Sequence, residues 1–507
     1  MGLDAALGIA QSGLAAIQRN LDLTAQNISN ARTPGYTRKS VPERAMLDGV
    51  GPAGVRTGEA QRAVDLALQA KLERSTSDLA AARLREQALQ GIEAAHGTTD
   101  AGTTLADGVT ALLNGFTNLA ANPADAGQQQ ATLQAAGVLA RRLNEVSTAI
   151  GTARQAAQDG IVADVTAANA ALRSIAQITR SLRDGTATDI ASLEDRRDAA
   201  IADLSKVIQV TAVRKPGNDL LLIAAGGIIL PLDPNHDPLA AKPAIVDPTL
   251  YYNPPNGLPA VTLNGTDITR NLSGGTLAEN IGLRDSTLPR YQAELDLTAA
   301  TLADRLDAVG LTLFTDSDGI SVPDTSQPYQ GSSQIGFAGR IQVNPSVTAN
   351  PAVLRDGNQT IPAGGAPSAF TPNPAGGPAG FTTLIDRVRR FALGAEADTG
   401  VPWAAIATTG LGPSGTLSSP FAAPVALADY ASRVTSAQVG DRVAATDTKA
   451  TATALNDALQ KKFDAGAGVD TDAEMAAMVT LQNAYAANAR VMNTIQAMWS
   501  ALLGISP

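Results

Sequence analysis

Leu3-Asp4-Ala5-Ala6-Leu7-Gly8-Ile9-Ala10-Gln11-Ser12-Gly13-Leu14-Ala15-Ala16-Ile17-Gln18-Arg19-Asn20-Leu21-Asp22-Leu23-Thr24-Ala25-Gln26-Asn27-Ile28 returns an apolar residue every seven positions, at Leu7, Leu14, Leu21 and Ile28. Leu3, Ala10, Ile17 and Thr24 interleave with them, so the spacing predicts a helix with a coiled-coil seam. A second seam lies at the other end of the chain. Met478, Tyr485, Met492 and Trp499 alternate there with Leu481, Asn488, Ile495 and Leu502 after Glu474. The two ends are expected to pair. Only Arg19 and Asp22 are charged between Ala5 and Ala31, and only Arg490 between Met475 and Pro507. A helix on a soluble monomer normally shows water a charged face, so these neutral faces are expected to meet other protein in an assembly.

Working inward, Thr471-Asp472-Ala473-Glu474 has the form of a capping box, and Gly504 that of a helix stop. Glu59 to Gln90 has neither Gly nor Pro, which predicts a long helix with Val64, Leu68, Leu72 and Leu79 on its apolar side. The preceding segment, with Pro42, Gly49, Gly51, Pro52, Gly54 and Gly58, reads as a loop. Further helices are expected over 104–121, 126–150, 161–183 and 188–208, over 276–310 with a break near Pro289, and over 425–463. The interval from Pro216 to Pro424 holds 23 of the 28 prolines, a density that excludes long helices over most of it. Strands are expected at 207–213, 220–224 and 228–232, and a hairpin through Asn264-Gly265. Weaker strand signals lie at 319–322, 334–337 and 340–343.

The chain is therefore expected to be mainly α with β insertions and multidomain. Residues 1–58 and 464–507 would form a terminal helical assembly domain, 464–470 being a flexible joint. Residues 59–205, 276–310 and 425–463 would form a helical rod, 206–275 a β domain, and 311–424 a β/loop insertion or second outer domain. Burial along the seam alone is small against the entropy of fixing two long helices, and Gly8 and Gly13 each weaken the first by about 1 kcal/mol. The ends are expected to be loosely folded in the monomer and to order when copies stack.

The net charge of -10 and the lack of a Lys/Arg-rich run argue against nucleic acid or an anionic membrane as partner. With no cysteine there is no disulfide, thiolate nucleophile or thiolate metal site. Met1-Gly2-Leu3-Asp4 lacks a basic region leading into an apolar core, so a secretory signal peptide is not expected. His96 and His236 stand apart from each other, and no catalytic, metal or cofactor-binding residue is expected. Asp316-Ser317-Asp318-Gly319 lacks the downstream Glu of a calcium loop and reads as a turn. Asp195, Arg196, Arg197 and Asp198 read as a solvated helix face.

Asn27-Ile28-Ser29-Asn30-Ala31-Arg32-Thr33-Pro34-Gly35-Tyr36-Thr37-Arg38 resembles the N-terminal signature of bacterial flagellar rod, hook and hook-associated proteins, with the Thr-Pro-Gly-Tyr-Thr-Arg ending of the hook-associated members. The run from Glu474 to Arg490 is similar to the last helix of that family, and Leu193 to Ser205 and Gly274 to Gln292 are similar to internal stretches. Arg32 stands where the family often has Asn and Lys39 where Gln is common, while 311–424 matches nothing known in it.

The resemblance implies a structural adaptor joining hook to filament, needed for filament assembly and exported unfolded by the flagellar type III apparatus to the cell exterior. It implies paired terminal helices lining the axis, and as partners further copies of the chain, hook protein, a second hook-associated junction protein and an export chaperone. Within the motif it implies that Pro34 stops the helix, Gly35 turns the chain and Tyr36 packs the exit loop against a neighbouring subunit, the alternative being an intramolecular turn with no partner contact. Another axial subunit of hook or distal rod, or a secreted oligomeric adhesin, remains the alternative.

Overall fold

The computed structural model describes residues 2–48, 51–97, 102–185 and 189–503; Gly504 and the Leu502 side chain lie outside what is described. Helix α1 (Leu3–Asn30) ends four residues before Pro34, and Gly35 turns the chain at φ 76°. Beyond it, β1 (Lys39–Ser40), β2 (Glu43–Asp48), β3 (Gly51–Thr57) and β4 (Gln61–Arg62) replace the expected loop: β2 and β3 form an antiparallel hairpin and β1 pairs with β4. Glycines and prolines had masked the strand pattern. The hairpin lies along α1, where the Val55 amide donates to Ser12 Oγ at 3.1 Å.

Helix α2 (Leu66–His96) starts later than Glu59 because the Asp65 carboxylate caps it, accepting from the Ala67 and Leu68 amides. Thr104 and Asp107 form a capping box on α3 (Leu105–Ala121). Next comes α4 (Ala126–Arg183), 58 residues long, where two helices were expected. Gly151 and Gly160 do not interrupt it because buried Val146, Ile150, Ala157, Ile161 and Val165 continue one stripe across them.

After α5 (Ile190–Val207), β5 (Val210–Arg214), β6 (Leu220–Ala224) and β7 (Ile228–Leu230) form an antiparallel sheet, and β8 (Leu239–Ala240), β9 (Thr262–Leu263) and β10 (Thr266–Asp267) another. Asn264 at φ 49° and Gly265 at φ 83° make the tight β9–β10 turn that an Asn-Gly pair favours. These sheets, α5, the second half of α4 and α6 (Gly275–Gly282) enclose one apolar core. Gly275, at φ 75°, sits so close to the Val207 carbonyl oxygen that a Cβ would collide with it. Gly275→Ala is expected to destabilise this core by about 2 kcal/mol or more, read as a lowered urea midpoint.

From α6 the chain passes through a π turn (Leu283–Thr287) into α7 (Leu288–Ala308). The break expected near Pro289 is absent because the proline falls in the first turn of α7, where its missing N–H is harmless.

The interval to α11 is short elements joined by turns: β11 (Phe314–Thr315) pairs with β12 (Gln342–Val343), followed by α8 (Pro345–Ala349), α9 (Val353–Asp356) and α10 (Thr383–Arg387). The hairpins β13 (Glu396–Asp398) with β14 (Val401–Pro402), and β15 (Thr409–Leu411) with β16 (Leu417–Ser418), complete it. No strand forms at 319–322 or 334–337, and the signal at 340–343 shrinks to Gln342–Val343. Asp316 to Gly319 is a turn, the Gly319 amide donating to the Asp316 carbonyl at 2.9 Å, with Asp316 paired to Arg340. Leu311, Phe314, Phe337, Leu354, Leu384 and Leu411 enter the same core as α2, α3, α4, α7 and α11 (Leu427–Ala467). Buried Asp296 of α7 fastens that interval by accepting from the Gly336 and Ala338 amides, Tyr329 Oη and Gln292 Nε2. Helix α11 runs on to Ala467, so the joint before α12 (Thr471–Leu503) is only residues 468–470.

Candidate functional site

Helices α1 and α12 run antiparallel: Asn27 near the end of α1 reaches Glu474 near the start of α12, and Gly13 faces Asn488. Of the seam positions, Ala10 is buried and Leu3, Leu7, Leu14, Ile17, Leu21 and Ile28 are half-buried. Ile495 is buried on the other helix, with Met478, Leu481, Asn488 and Met492 half-buried. Tyr485 and Trp499 are exposed, Tyr485 at the edge of the seam and Trp499 beyond the first turn of α1. Met475, Val479, Val491 and Met498 are also exposed, so α12 presents apolar side chains outward as well as toward α1.

The expected capping box at Thr471 does not form. Asp470 caps α12 instead, its carboxylate accepting from the Asp472 and Ala473 amides. Glu474 is thereby released to hold α1: Oε2 accepts from Asn27 Nδ2 at 3.2 Å and Oε1 from Arg38 Nε at 2.6 Å.

Asn27 uses every polar position it has. Its Nδ2 also donates to the Lys39 carbonyl at 2.9 Å, and its Oδ1 accepts from Tyr36 Oη at 2.9 Å and the Lys39 amide at 3.1 Å. The residues from 27 to 39 are thus a folded knot around one buried amide. Pro34 and Gly35 are exposed at its turn, Asn30 and Thr33 bond to each other at the surface, and the Arg38 amide donates to the Ala467 carbonyl at 2.7 Å.

A second set of bonds ties the knot to α5. Thr37 Oγ1 donates to Asp195 Oδ1 at 2.6 Å, and Lys39 Nζ lies 3.7 Å from Asp195 and 3.9 Å from Asp189, bonded to Ser192 and 4.6 Å from the Tyr36 ring centroid. Arg62 spans Glu194 at 2.9 Å, Asp195 at 3.0 Å and Asp198 at 2.8 Å, and Arg214 reaches Asp198 at 2.6 Å. Asp195 and Asp198 therefore belong to a clasp rather than a solvated face, and Arg197 is buried too, donating to the Asn218 carbonyl, while Arg196 is exposed as expected. Lys39, Arg62 and Asp195 carry no local signal of this, since their partners lie on elements far apart in the chain. The mixed charges of Glu194 to Asp198 were the only hint.

Electrostatics follow the geometry. Burial, then the charges of Asp195, Asp189 and Glu474, push the Tyr36 phenol up to about 12, so it stays a donor to Asn27. Burial pulls on Arg62, but Asp198, Asp195 and Glu194 outweigh it and hold the guanidinium above its ordinary value. For Asp189 burial is outweighed by the Ser192 bonds and Lys39, which leave its carboxyl below the usual range. The arrangement is a mechanical fastening in which Lys39, Arg62, Asp195 and Glu474 each meet an opposite charge. Among the described residues no group of three or more His, Cys, Asp or Glu is placed to hold a metal ion, and no helix is long and apolar enough to cross a membrane. His96 is buried against Gln438, and exposed His236 meets Asn264.

Residues 91–317 match the family described as the flagellar hook-associated protein FlgK helical domain. Flagellar hook-associated protein 1 of Salmonella typhimurium and of Salmonella typhi are each 24% identical over 249 residues. Over these stretches the chain is similar to the flagellar hook-associated proteins. Its ends match two further families: residues 7–37 the flagella basal body rod protein, and residues 460–505 the C-terminal part of the flagellar basal body rod FlgEFG proteins. The alignment to the Salmonella hook-associated proteins covers 47% of this chain and spans about half their length, 45%. The flagellar hook junction protein FlgK from Burkholderia pseudomallei is a similar solved structure at 21% identity and TM-score 0.40, covering 50% of this chain and 45% of that one. The first terminal match ends inside the knot, at Thr37, and the other begins in the last turns of α11.

Proposed function

We propose that this chain is a hook-associated structural adaptor at the hook–filament junction, outside the cell, where copies arranged about the flagellar axis seat on hook protein and receive a second junction protein. The observation that carries this is the pairing of the chain's two ends, both matching axial rod families, into one two-helix unit clasped to a body whose helical part matches the hook-associated family. The seam residues of α1 and α12 hold the pair, and outward Met475, Val479, Val491 and Met498 suit contact with neighbouring copies. Away from the clasp, the seam and the β2–β3 hairpin along α1 secure the pair, and stacking completes its order. Export through the flagellar apparatus with a dedicated chaperone fits helices that need a partner to cover them. The role is mechanical, with no catalytic step.

Deleting the coding sequence is expected to leave hooks without filaments, with filament subunits released to the medium, visible by electron microscopy and immunoblot. Re-expression should restore filaments, and the double variant Val479→Asp, Met498→Asp should not, although it folds. Normal filaments in the deletion strain would contradict the proposal, and missing hooks would favour a hook or rod subunit.

A further inference from the structure

Among the described residues, one carboxyl beside the clasp has no ion pair of its own. Glu73 of α2 is buried on the wall of a cleft of about 950 Å³ enclosed by α2, α5, the end of α11 and the knot, and its Oε1 accepts from Gln69 Nε2 at 3.0 Å. The charged groups that face it are Asp198 of α5 and Arg214 of β5. Arg214 is engaged by Asp198 at 2.6 Å and by Gln69 Oε1 at 3.4 Å. Arg32 and Tyr36 of the knot, Arg62 of β4, Arg83 of α2, Asp195, Asp203 and Lys206 of α5, and Asp464 of α11 line the rest of the cleft.

We propose that Glu73 is a proton-operated latch on the joint: its ionisation loosens the clasp and frees the terminal helix pair to swing on its two connecting segments, 31–39 and 468–470. The path is a contiguous set of bonds. A charged Glu73 repels Asp198 and competes with it for Arg214. An Asp198 that loses Arg214 draws more heavily on Arg62, the cation it shares with Asp195. Asp195 holds Thr37 and faces Lys39, so strain there reaches the knot directly. Protonated Glu73 avoids all of this: the carboxylates of Asp189, Glu194, Asp195, Asp198 and Glu474 are then matched by Arg38, Lys39, Arg62, Arg197 and Arg214.

The range in which this acts is near neutrality. Burial, followed by the charge of Asp198, pushes the Glu73 carboxyl up to about 7. A carboxyl raised on folding supports the folded state fully below its ordinary value near 4.5, and that support is lost as pH rises through about 7. The clasp is therefore tight in mild acid and loose in mild alkali.

The lack of cysteine lets two spin labels be placed without background, through Thr166→Cys on exposed α4 and Thr480→Cys on exposed α12. Pulsed electron–electron resonance on the full chain is expected to give a narrow distance distribution at about pH 6 that broadens by about pH 8.5, with its midpoint near 7. Glu73→Gln should stay narrow at both, and Asp198→Asn, which removes the neighbouring charge, should move the midpoint to lower pH. A wild-type distribution that is already broad at the lower pH or does not change between the two overturns the proposal. So does an unaltered transition in Glu73→Gln, or an unmoved midpoint in Asp198→Asn. None of these outcomes depends on the flagellar role.

Discussion

Asp195→Ala is expected to open the joint while leaving both apolar cores intact. The substitution removes the acceptor of Thr37 at 2.6 Å, one of three carboxylates on Arg62, and a carboxylate 3.7 Å from Lys39, whose ammonium is buried. Removing one partner of a buried ion pair costs about 3–5 kcal/mol. Arg62 keeps Glu194 and Asp198, which places this case at the low end, about 3 kcal/mol. The loss is local, because neither core includes a residue of the knot. Amide exchange over residues 27–39 should accelerate by roughly a hundredfold, and trypsin should cut after Arg38 and Lys39 much sooner than in the parent. Asp195→Asn, which keeps an acceptor for Thr37, should fall between. Unchanged exchange in Asp195→Ala would show that the knot holds without α5.

Asp296→Ala should do the opposite, sparing the joint and damaging the body. Four donors converge on this fully buried carboxylate, two of them backbone amides of the 336–338 turn. Burial pushes the carboxyl up to about 6 against the pull of those donors, so it is ionised at neutral pH. Alanine leaves all four without an acceptor, at roughly 1–3 kcal/mol for each that cannot relax. A loss of about 4 kcal/mol or more is expected, read as a lower urea midpoint, with the 311–424 interval exchanging first. An unaltered midpoint would mean the turn is held by its apolar contacts, Phe337 above all.

What the sequence disclosed and what it hid follow from range. The seven-residue spacing of Leu7, Leu14, Leu21 and Ile28 is a local periodicity, and so was legible, as was the Asn264-Gly265 turn, whose backbone few residue pairs other than Asn-Gly adopt readily. The pairing of the ends followed because both carried the same unsatisfied pattern. Glu474 misled because a capping box and a long-range anchor look alike in one dimension; Asp470 took the cap, and the carboxylate turned to Asn27 and Arg38. Asp195 and Asp198 misled for the same reason, since Thr37, Arg62 and Arg214 reach them from other elements. The interval 311–424 was illegible for another cause. Most of its elements are two to five residues long and divided by Pro and Gly; the one helical period, at Leu384, Ile385, Val388, Phe391 and Ala392, spans only ten residues, 383–392, and was lost among the surrounding turns.

A chain placed as proposed, where hook meets filament with its terminal pair inward and its body outward, would expose residues 311–424 there alone. Immunogold electron microscopy of detached flagella, with antibody raised against residues 311–424, tests it most directly. Gold is expected in a narrow band at the hook–filament boundary and nowhere else. Gold along the whole hook, or on cells whose accessible flagella remain unlabelled, would contradict it.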